Sequence, residues 1–529
     1  MKKETRESAS LLSGIASLSL AVIITKILGA IYKIPLSYIL NDVGMGYFNV
    51  AYTVFGFFYI LSVSGIPKAV TIVFSNREGT IENGRFIAKR LLRVFFLIGL
   101  LFTVILISLS PVISRILGSS GSLYSMIFIA PSIVFIIVSG VVRGFLTSRS
   151  SFYPIAISQI IEAFSKLLIG LLFALIGVKL NMSSELIAAF TILGITVGSF
   201  LSFLYLSFSY KKGINKDRSI KNENRKKVID PRGVFKEILC IAIPITLSSS
   251  ILSLTGIIDL GVIIRGLKNI GYTETAATAA YGNYSTLALP MLNLAVSVLS
   301  PIAVAILPSL VKLREKNDRE GFDEAFGKSI FLTNLLSTPI FLSFLLYSFD
   351  LLDVLFDSNS SITAYKSLSF LSPAMVLLPL LTVLNTGLES IGKIGSTVAS
   401  LLLGAFSKLI LTFILIRFTD LGILSSSIGT VISYSIAVIY SAYALKRQKI
   451  RAITFSNTLL PLLSGSMIFA PVSIILYFNY LKIDSKTYSL MLICASTLIY
   501  LILIYLLKMA KKPQKRVNIH KNINSLLSN

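Results

Sequence analysis

The sequence predicts an all-α, polytopic membrane protein of about fourteen transmembrane helices, and three observations predict it. Hydrophobic residues make up 54% of the 529 positions and charged residues only 14%, with a mean hydropathy of +0.82, too apolar for a soluble chain of this length. Apolar runs of about 20 residues, enough to cross a hydrocarbon core about 30 Å thick, recur along nearly the whole chain. The pentapeptide Ala163-Phe164-Ser165-Lys166-Leu167 returns as Ala405-Phe406-Ser407-Lys408-Leu409, and at the same offset of 242 residues Ala130-Pro131 realigns with Ser372-Pro373. One half is a copy of the other, and internal duplication of apolar spans is typical of transporters.

The spans follow in order. A basic start (Lys2, Lys3, Arg6) precedes a first span over 10–34, and a second runs over 45–75 with Gly65-Ile66-Pro67-Lys68 inside it. Five basic residues from Arg77 to Arg93 introduce the third, 91–114, and spans over 124–147, 153–178 and 186–210 complete a first lobe, residues 1–210. A basic linker, 211–235, leads to a second lobe, 236–445, with spans over 236–264, 281–311, 325–347, 364–390, 394–417 and 421–445. Two further spans, 455–480 and 486–508, stand outside the repeat within 446–508, and a basic tail, 509–529, follows. Each repeated unit holds six helices, an even number, so both copies enter from the same side. The repeat is therefore parallel, with its pseudo-two-fold axis along the membrane normal.

The net charge of +25 invites a nucleic-acid reading, so the placement of Lys and Arg decides. With the N-terminus assigned to the cytoplasm, about 36 of the 49 fall on inward loops, among them Arg143 and Arg149, and about nine on outward ones. This asymmetry makes the basic surface a matter of topology and of attraction to anionic lipid headgroups, not of nucleic acid. The outward loop with Asp350, Asp353 and Asp357 fits the same orientation, which puts both termini in the cytoplasm.

Other classes fall by inspection. The first apolar run contains Lys26 and ends without a small-x-small site, against a cleavable signal. Two cysteines in separate spans, Cys240 and Cys494, and one histidine, His520 in the basic tail, suggest no disulfide framework, thiolate or histidine metal site, or histidine relay. Gly387 to Ile394 reads G-x-x-x-x-G-K-I but ends an apolar helix and lacks the final Ser or Thr of a phosphate-binding loop. No cofactor is expected. Directional transport would draw on an ion gradient (H+ or Na+), the membrane potential or consumption of substrate on the far side, and the short outward loops leave little room for a catalytic domain.

Charges tolerated within spans carry the most information, since each costs at least about 2.5–3.5 kcal/mol and usually faces a wet cavity. Lys26, Lys68, Lys166 and Lys408 qualify. Lys26 and Lys33 are seven residues apart, about 10.5 Å along one helix face, a spacing suited to two phosphates or to a phosphate and a sugar acid; alternatively Lys33 snorkels to the interface. Gly65-Ile66-Pro67 and the matching Pro301 interrupt the second and eighth spans as hinges near a midplane site, or serve only as packing kinks. Glu162 and Lys166 are placed to pair along one helix. The repeat gives Gly404 in place of Glu162, so Lys408 needs Glu389, Asp259 or a ligand. Asp259 is the candidate coupling carboxylate, and Arg265 ends the same span on another face.

Thr25-Lys26-Ile27-Leu28-Gly29-Ala30-Ile31-Tyr32-Lys33-Ile34-Pro35, Gly44-Met45-Gly46, Ser64-Gly65-Ile66-Pro67, Tyr281-Gly282 through Asn293, and Gly387 through Lys393 together resemble a known family. It is the polysaccharide biosynthesis, stage V sporulation protein B-like and Gram-positive lipid II flippase group of the MOP exporter superfamily. The resemblance covers residues 10 to about 510. It implies a two-lobed transporter with a cationic cavity, and a groove for a lipid tail formed by the last two helices. It implies that undecaprenyl-diphosphate-linked sugars pass from the inner to the outer leaflet by alternating access. Lys26 matches a first-helix arginine of Gram-negative relatives, Lys33 lies within one position of a second, and Asp42 is the nearest match to an acidic residue early in their second helix. Lysine keeps the charge but loses bidentate phosphate geometry.

A diphosphate carries about two negative charges and cannot cross hydrocarbon unpartnered. Lys26, Lys33, Lys68, Arg265 and Lys408 are accordingly the candidate substrate-binding residues. Lipid II is the leading cargo; another lipid-linked glycan of a capsule or spore, or a drug cation exported by an antiporter of the same build, are the alternatives. A monomer in contact with membrane lipids and the cell-wall synthesis machinery is expected.

Overall fold

The computed structural model describes residues 2–60, 65–75, 81–216, 231–479 and 488–510, and among these every element is helical. Most of the linker and the tail from 511 onward, with His520, lie outside the described residues. In the first half the helices are α1 (Lys2–Ile60), α2 (Ile66–Ser75), α3 (Ile81–Leu117), α4 (Leu123–Ile129), α5 (Ser132–Ser148), α6 (Tyr153–Lys179) and α7 (Ser184–Lys216). The second half holds α8 (Pro231–Asn269), α9 (Glu274–Asn283), α10 (Leu289–Glu315), α11 (Arg319–Leu346), α12 (Ser348–Leu355), α13 (Ser358–Leu371), α14 (Ala374–Ser390), α15 (Ile394–Phe418) and α16 (Leu424–Arg447). Two more, α17 (Phe455–Asn479) and α18 (Tyr488–Ala510), follow.

Among the described residues nine helices are long and apolar enough to cross a membrane, and eleven if each of two bent pairs counts as one span. The chain is a multi-pass membrane protein. The first expected span and the start of the second are merged in α1, which folds sharply at Asn41 (φ 55°, ψ 178°), a positive-φ, extended-ψ conformation that non-glycine residues rarely adopt; the rest of the second span is α2.

The repeat is visible in the backbone. Helices α4 and α5 meet at a 40° bend around Ala130-Pro131, and α13 and α14 meet at a 44° bend around Ser372-Pro373. Shifted by 242 residues, Ser132–Ser148 becomes Ala374–Ser390, the bounds of α14. A proline at the start of each second arm lacks the N–H that would continue the helical ladder, so the bend is local and is copied with the sequence.

Pro301 does not interrupt its span, contrary to expectation. Helix α10 runs unbroken from Leu289 to Glu315 through both Pro301 and Pro308, and the irregularity of that arm lies upstream, in a π-helical turn at Tyr284–Ala288. A proline removes one backbone bond, which a helix absorbs by bending; a π turn widens the whole ring and redirects its carbonyls.

Helices of the first half pack largely among themselves, as do α8–α16, while α17 lies on α11. The halves meet where α1 runs beside α8, α9 and the π turn, and where α2 and α3 meet α8. Small residues set the distance there. A Cβ on Gly46 would sit 2.3 Å from the Thr278 carbonyl oxygen, and one on Gly282 would sit 2.7 Å from both the Asp42 carbonyl oxygen and the Gly46 nitrogen. Gly65 is seated against α8 in the same way, 1.8 Å from Thr246 Oγ1 by the same measure. Such close backbone approach is the usual reason for small residues between membrane helices.

Candidate functional site

Polar side chains gather along the seam between the halves. Nearest the Asn41 fold, Ser120 donates to Glu274 from its backbone N–H (2.6 Å) and its hydroxyl, and Lys268 pairs with the same carboxylate at 2.8 Å. Beside them, the Ser360 hydroxyl donates to Asp42. Next along the seam, Asn49 donates to the Thr286 hydroxyl at 2.6 Å, and the Thr53 and Tyr281 hydroxyls lie 3.1 Å apart. Together with the Gly46 and Gly282 contacts, these bonds shut that end of the seam.

Cations follow. Lys33 donates to the Ser285 carbonyl oxygen at 3.3 Å, a carbonyl in the π turn, and Lys26 donates to the Ser297 hydroxyl at 3.1 Å. Both lysines thus reach from the first half to the second, and Lys26 is exposed. Lys166 lies within electrostatic range of Lys33, its ammonium 4.5 Å from the centre of the Tyr52 ring and 5.4 Å from that of Tyr32. Aromatic faces partly offset an unpaired cation. In the second half, Lys408 Nζ lies 2.7 Å from Asp259 Oδ2 on α8, with Tyr281, Tyr284 and Tyr434 around the pair. The other oxygen, Asp259 Oδ1, is buried with no hydrogen-bond partner among the described residues.

Several expected arrangements differ. Glu162 does not pair with Lys166: it bonds Arg143 Nη2 at 3.0 Å. Arg143 is not a loop residue either, because α5 continues to Ser148 and leaves it 6% exposed. A buried guanidinium cannot shed its charge and needs a carboxylate, so it takes Glu162 and leaves Lys166 to the tyrosines. Of the two candidate partners for Lys408, Glu389 stays exposed at the end of α14 and Asp259 takes the contact. Arg265 is set apart from the lysines, donating to the Arg115 carbonyl oxygen at 3.4 Å beside Gly118. Asp42 also stands at the shut end, and Lys68 is exposed on α2.

The repeat explains the asymmetry of the two halves. At the offset of 242 residues, Arg143 corresponds to Asn385 and Glu162 to Gly404. Both members of the ion pair are replaced together: Asn385 instead accepts from the Ser400 and Ser441 hydroxyls at 3.2 and 2.9 Å. Sequence reading missed Tyr32, Tyr52, Ser120 and Glu274. A Glu at the start of a short helix and tyrosines in apolar spans carry no local signal of a partner. Among the described residues no three His, Cys, Asp or Glu side chains come together as a metal site.

The family model for "Polysaccharide biosynthesis protein" matches residues 11–314, the stretch that carries most of α1, the π turn and both Lys26 and Lys33. The chain belongs to the polysaccharide biosynthesis protein family. It is similar to stage V sporulation protein B of Bacillus subtilis (strain 168), 23% identical over 425 residues that cover 79% of this chain and 80% of the relative. It is also similar to the lipid II flippase MurJ of the same organism, 22% identical over 458 residues and 83% of each chain. Among solved structures, "Lipid II flippase MurJ, inward closed conformation" shares the fold, with a TM-score of 0.71 at 17% identity over 93% of this chain and 99% of that one.

Proposed function

We propose that this member of the polysaccharide biosynthesis protein family is a flippase that moves an undecaprenyl-diphosphate-linked cell-wall precursor, lipid II foremost, from the inner to the outer leaflet by alternating access. The observation that carries the reading is the set of lysines at the seam, Lys26, Lys33 and Lys166, none of which has a carboxylate partner among the described residues. Uncompensated cations where two halves meet suit an anionic headgroup, and a diphosphate would replace the weak contacts of Lys26 and Lys33 with charge-assisted bonds. A drug-cation antiporter needs the opposite, a carboxylate-lined cavity. The stated activity of the lipid II flippase relative points the same way.

In this scheme residues 1–210 and 236–445 act as two lobes that rock about the seam, with the cargo's lipid tail along α17 and α18. The Gly46 and Gly282 contacts and the Glu274 bonds close one end; binding of the headgroup to both lobes would favour their release at that end and closure at the other. The Asp259–Lys408 pair is the coupling element, Asp259 Oδ1 being the open position for a proton or Na+. Both termini are cytoplasmic.

The test is complementation. The chain is expressed in cells depleted of their own lipid II flippases, and outer-leaflet lipid II is assayed with a probe that cannot cross the membrane. Growth with restored lipid II, lost in Lys26→Ala, is the expected result. Correct insertion without rescue would assign the chain to another lipid-linked glycan, with a spore or capsule precursor tried next.

A further inference from the structure

The G-x-x-x-x-G-K-I stretch binds no nucleotide by its geometry, since Gly387 lies within α14 with its Cα against the Phe326 ring, and no strand precedes it. Its lysine nevertheless reaches a distinct feature. A cleft of about 340 Å³ opens where α15 begins and α16 ends, lined by Lys393, Ser396, Tyr440, Tyr443, Arg447 and Gln448. No acidic side chain lines it, and neither Lys393 nor Arg447 has an ion-pair partner among the described residues. Lys393 caps α15, fifteen residues before Lys408 within that helix, about 22 Å along its axis, so the cleft is separate from the seam.

We infer that this cleft binds the headgroup phosphate of an anionic glycerophospholipid of the surrounding bilayer, with an acyl chain laid along α16. Three features converge. Arg447 and Lys393 supply a planar fork and a point charge of the kind that phosphate esters take, and Ser396 and Gln448 add polar groups beside them. Tyr440 and Tyr443 form a wall with both apolar area and hydroxyls, the residue type that belongs at the level of lipid headgroups. Below the cleft, exposed Tyr443, Ile439 and Ile432 fall on one face of α16 and extend it for eleven residues. That is about 16 Å at the helical rise, close to the depth of one leaflet of a core about 30 Å thick. A free phosphate would use the cations but not the stripe.

The full-length protein is held in phosphatidylcholine nanodiscs, phosphatidylglycerol is titrated in, and bound lipid is counted by native mass spectrometry. Lys393→Gln with Arg447→Gln should weaken phosphatidylglycerol binding about twenty-five-fold, taking about a fivefold loss per basic residue at the surface. Lys446→Gln with Lys449→Gln removes the same charge from exposed neighbours outside the cleft and should leave the bound lipid as in the wild type. Equal losses in the two double variants, or no loss in either, would overturn the site in favour of diffuse attraction. Displacement of the lipid by millimolar inorganic phosphate would overturn the lipid as its source. If the first double variant does not fold, Arg447→Gln alone carries the same test at about a fivefold loss.

Discussion

Lys408 Nζ lies 2.7 Å from Asp259 Oδ2, whereas Lys166, its counterpart in the repeat, rests on the tyrosine rings of α1 with no carboxylate partner among the described residues. The same five-residue sequence thus holds one neutralised and one uncompensated cation. Their helices match; the difference comes from what the neighbouring helix offers, Asp259 on α8 against Tyr32 and Tyr52 on α1. The first half therefore retains net positive charge at the seam.

The pair should behave as a unit. Lys408→Met or Asp259→Leu alone strands a mostly buried charge and should cost about 3 kcal/mol, at the lower end for buried pairs because Lys408 keeps 23% exposure. Lys408→Met combined with Asp259→Leu should recover most of that stability. Thermal unfolding of the detergent-solubilised variants as a double-mutant cycle checks it: additive losses would mean that the two residues are not coupled.

Arg143 and Glu162 should show the same non-additivity in the other half. Arg143→Met leaves Glu162 unpaired and should destabilise by about 3 kcal/mol, while Arg143→Met with Glu162→Leu should be close to neutral. The structure changes the forecast for a further swap. Glu162→Lys with Lys166→Glu would be harmless if those two formed a self-contained pair; here it sets a lysine against Arg143 and should lower the melting temperature and the amount of folded protein.

Among the seam glycines Gly46, Gly65 and Gly282, Gly46 makes the closest approach to opposing backbone. Gly46→Val puts a Cβ 2.3 Å from the Thr278 carbonyl oxygen, which backbone cannot yield without the halves separating. The variant should shift the population toward a state open at that end by at least about tenfold. A cysteine at Thr53, in a chain with Cys240 and Cys494 replaced, should then react faster with a membrane-impermeant maleimide than in the Gly46 background. An unchanged rate would show that this contact does not hold the seam shut.

Lys26 and Lys33 should differ in their tolerance. Lys26→Arg keeps charge at an exposed position and should retain most transport activity, while Lys26→Ala should abolish it with the protein still folded and inserted. Lys33→Ala also removes the bond to the π turn, so it should both impair transport and loosen the seam, seen as faster maleimide labelling at Thr53. Full transport by Lys26→Ala would remove that residue from the mechanism.

By itself the sequence determined what rests on composition and on order along the chain. Hydropathy required a membrane-spanning helical protein, because a bilayer satisfies backbone polar groups only within helices or closed barrels. The repeat, with its prolines, forecast two halves of one plan, and α5 and α14 coincide at the offset because proline acts on the turn where it stands. Lys26 and Lys33 were legible as a pair because seven residues return to one helix face. Pairing across helices was not legible. Lys166 has a suitable carboxylate one turn away, and only the buried position of Arg143 on α5 explains why that carboxylate goes elsewhere. Lys408 had two candidates in the sequence, and only the approach of α8 selects Asp259 over Glu389. Arg265 and Asp42 carry the right charge but lie at the shut end of the seam. Coulombic partnership depends on separations of a few ångströms between helices far apart in sequence, and those separations are fixed by how glycines such as Gly46 and Gly282 let the backbones meet.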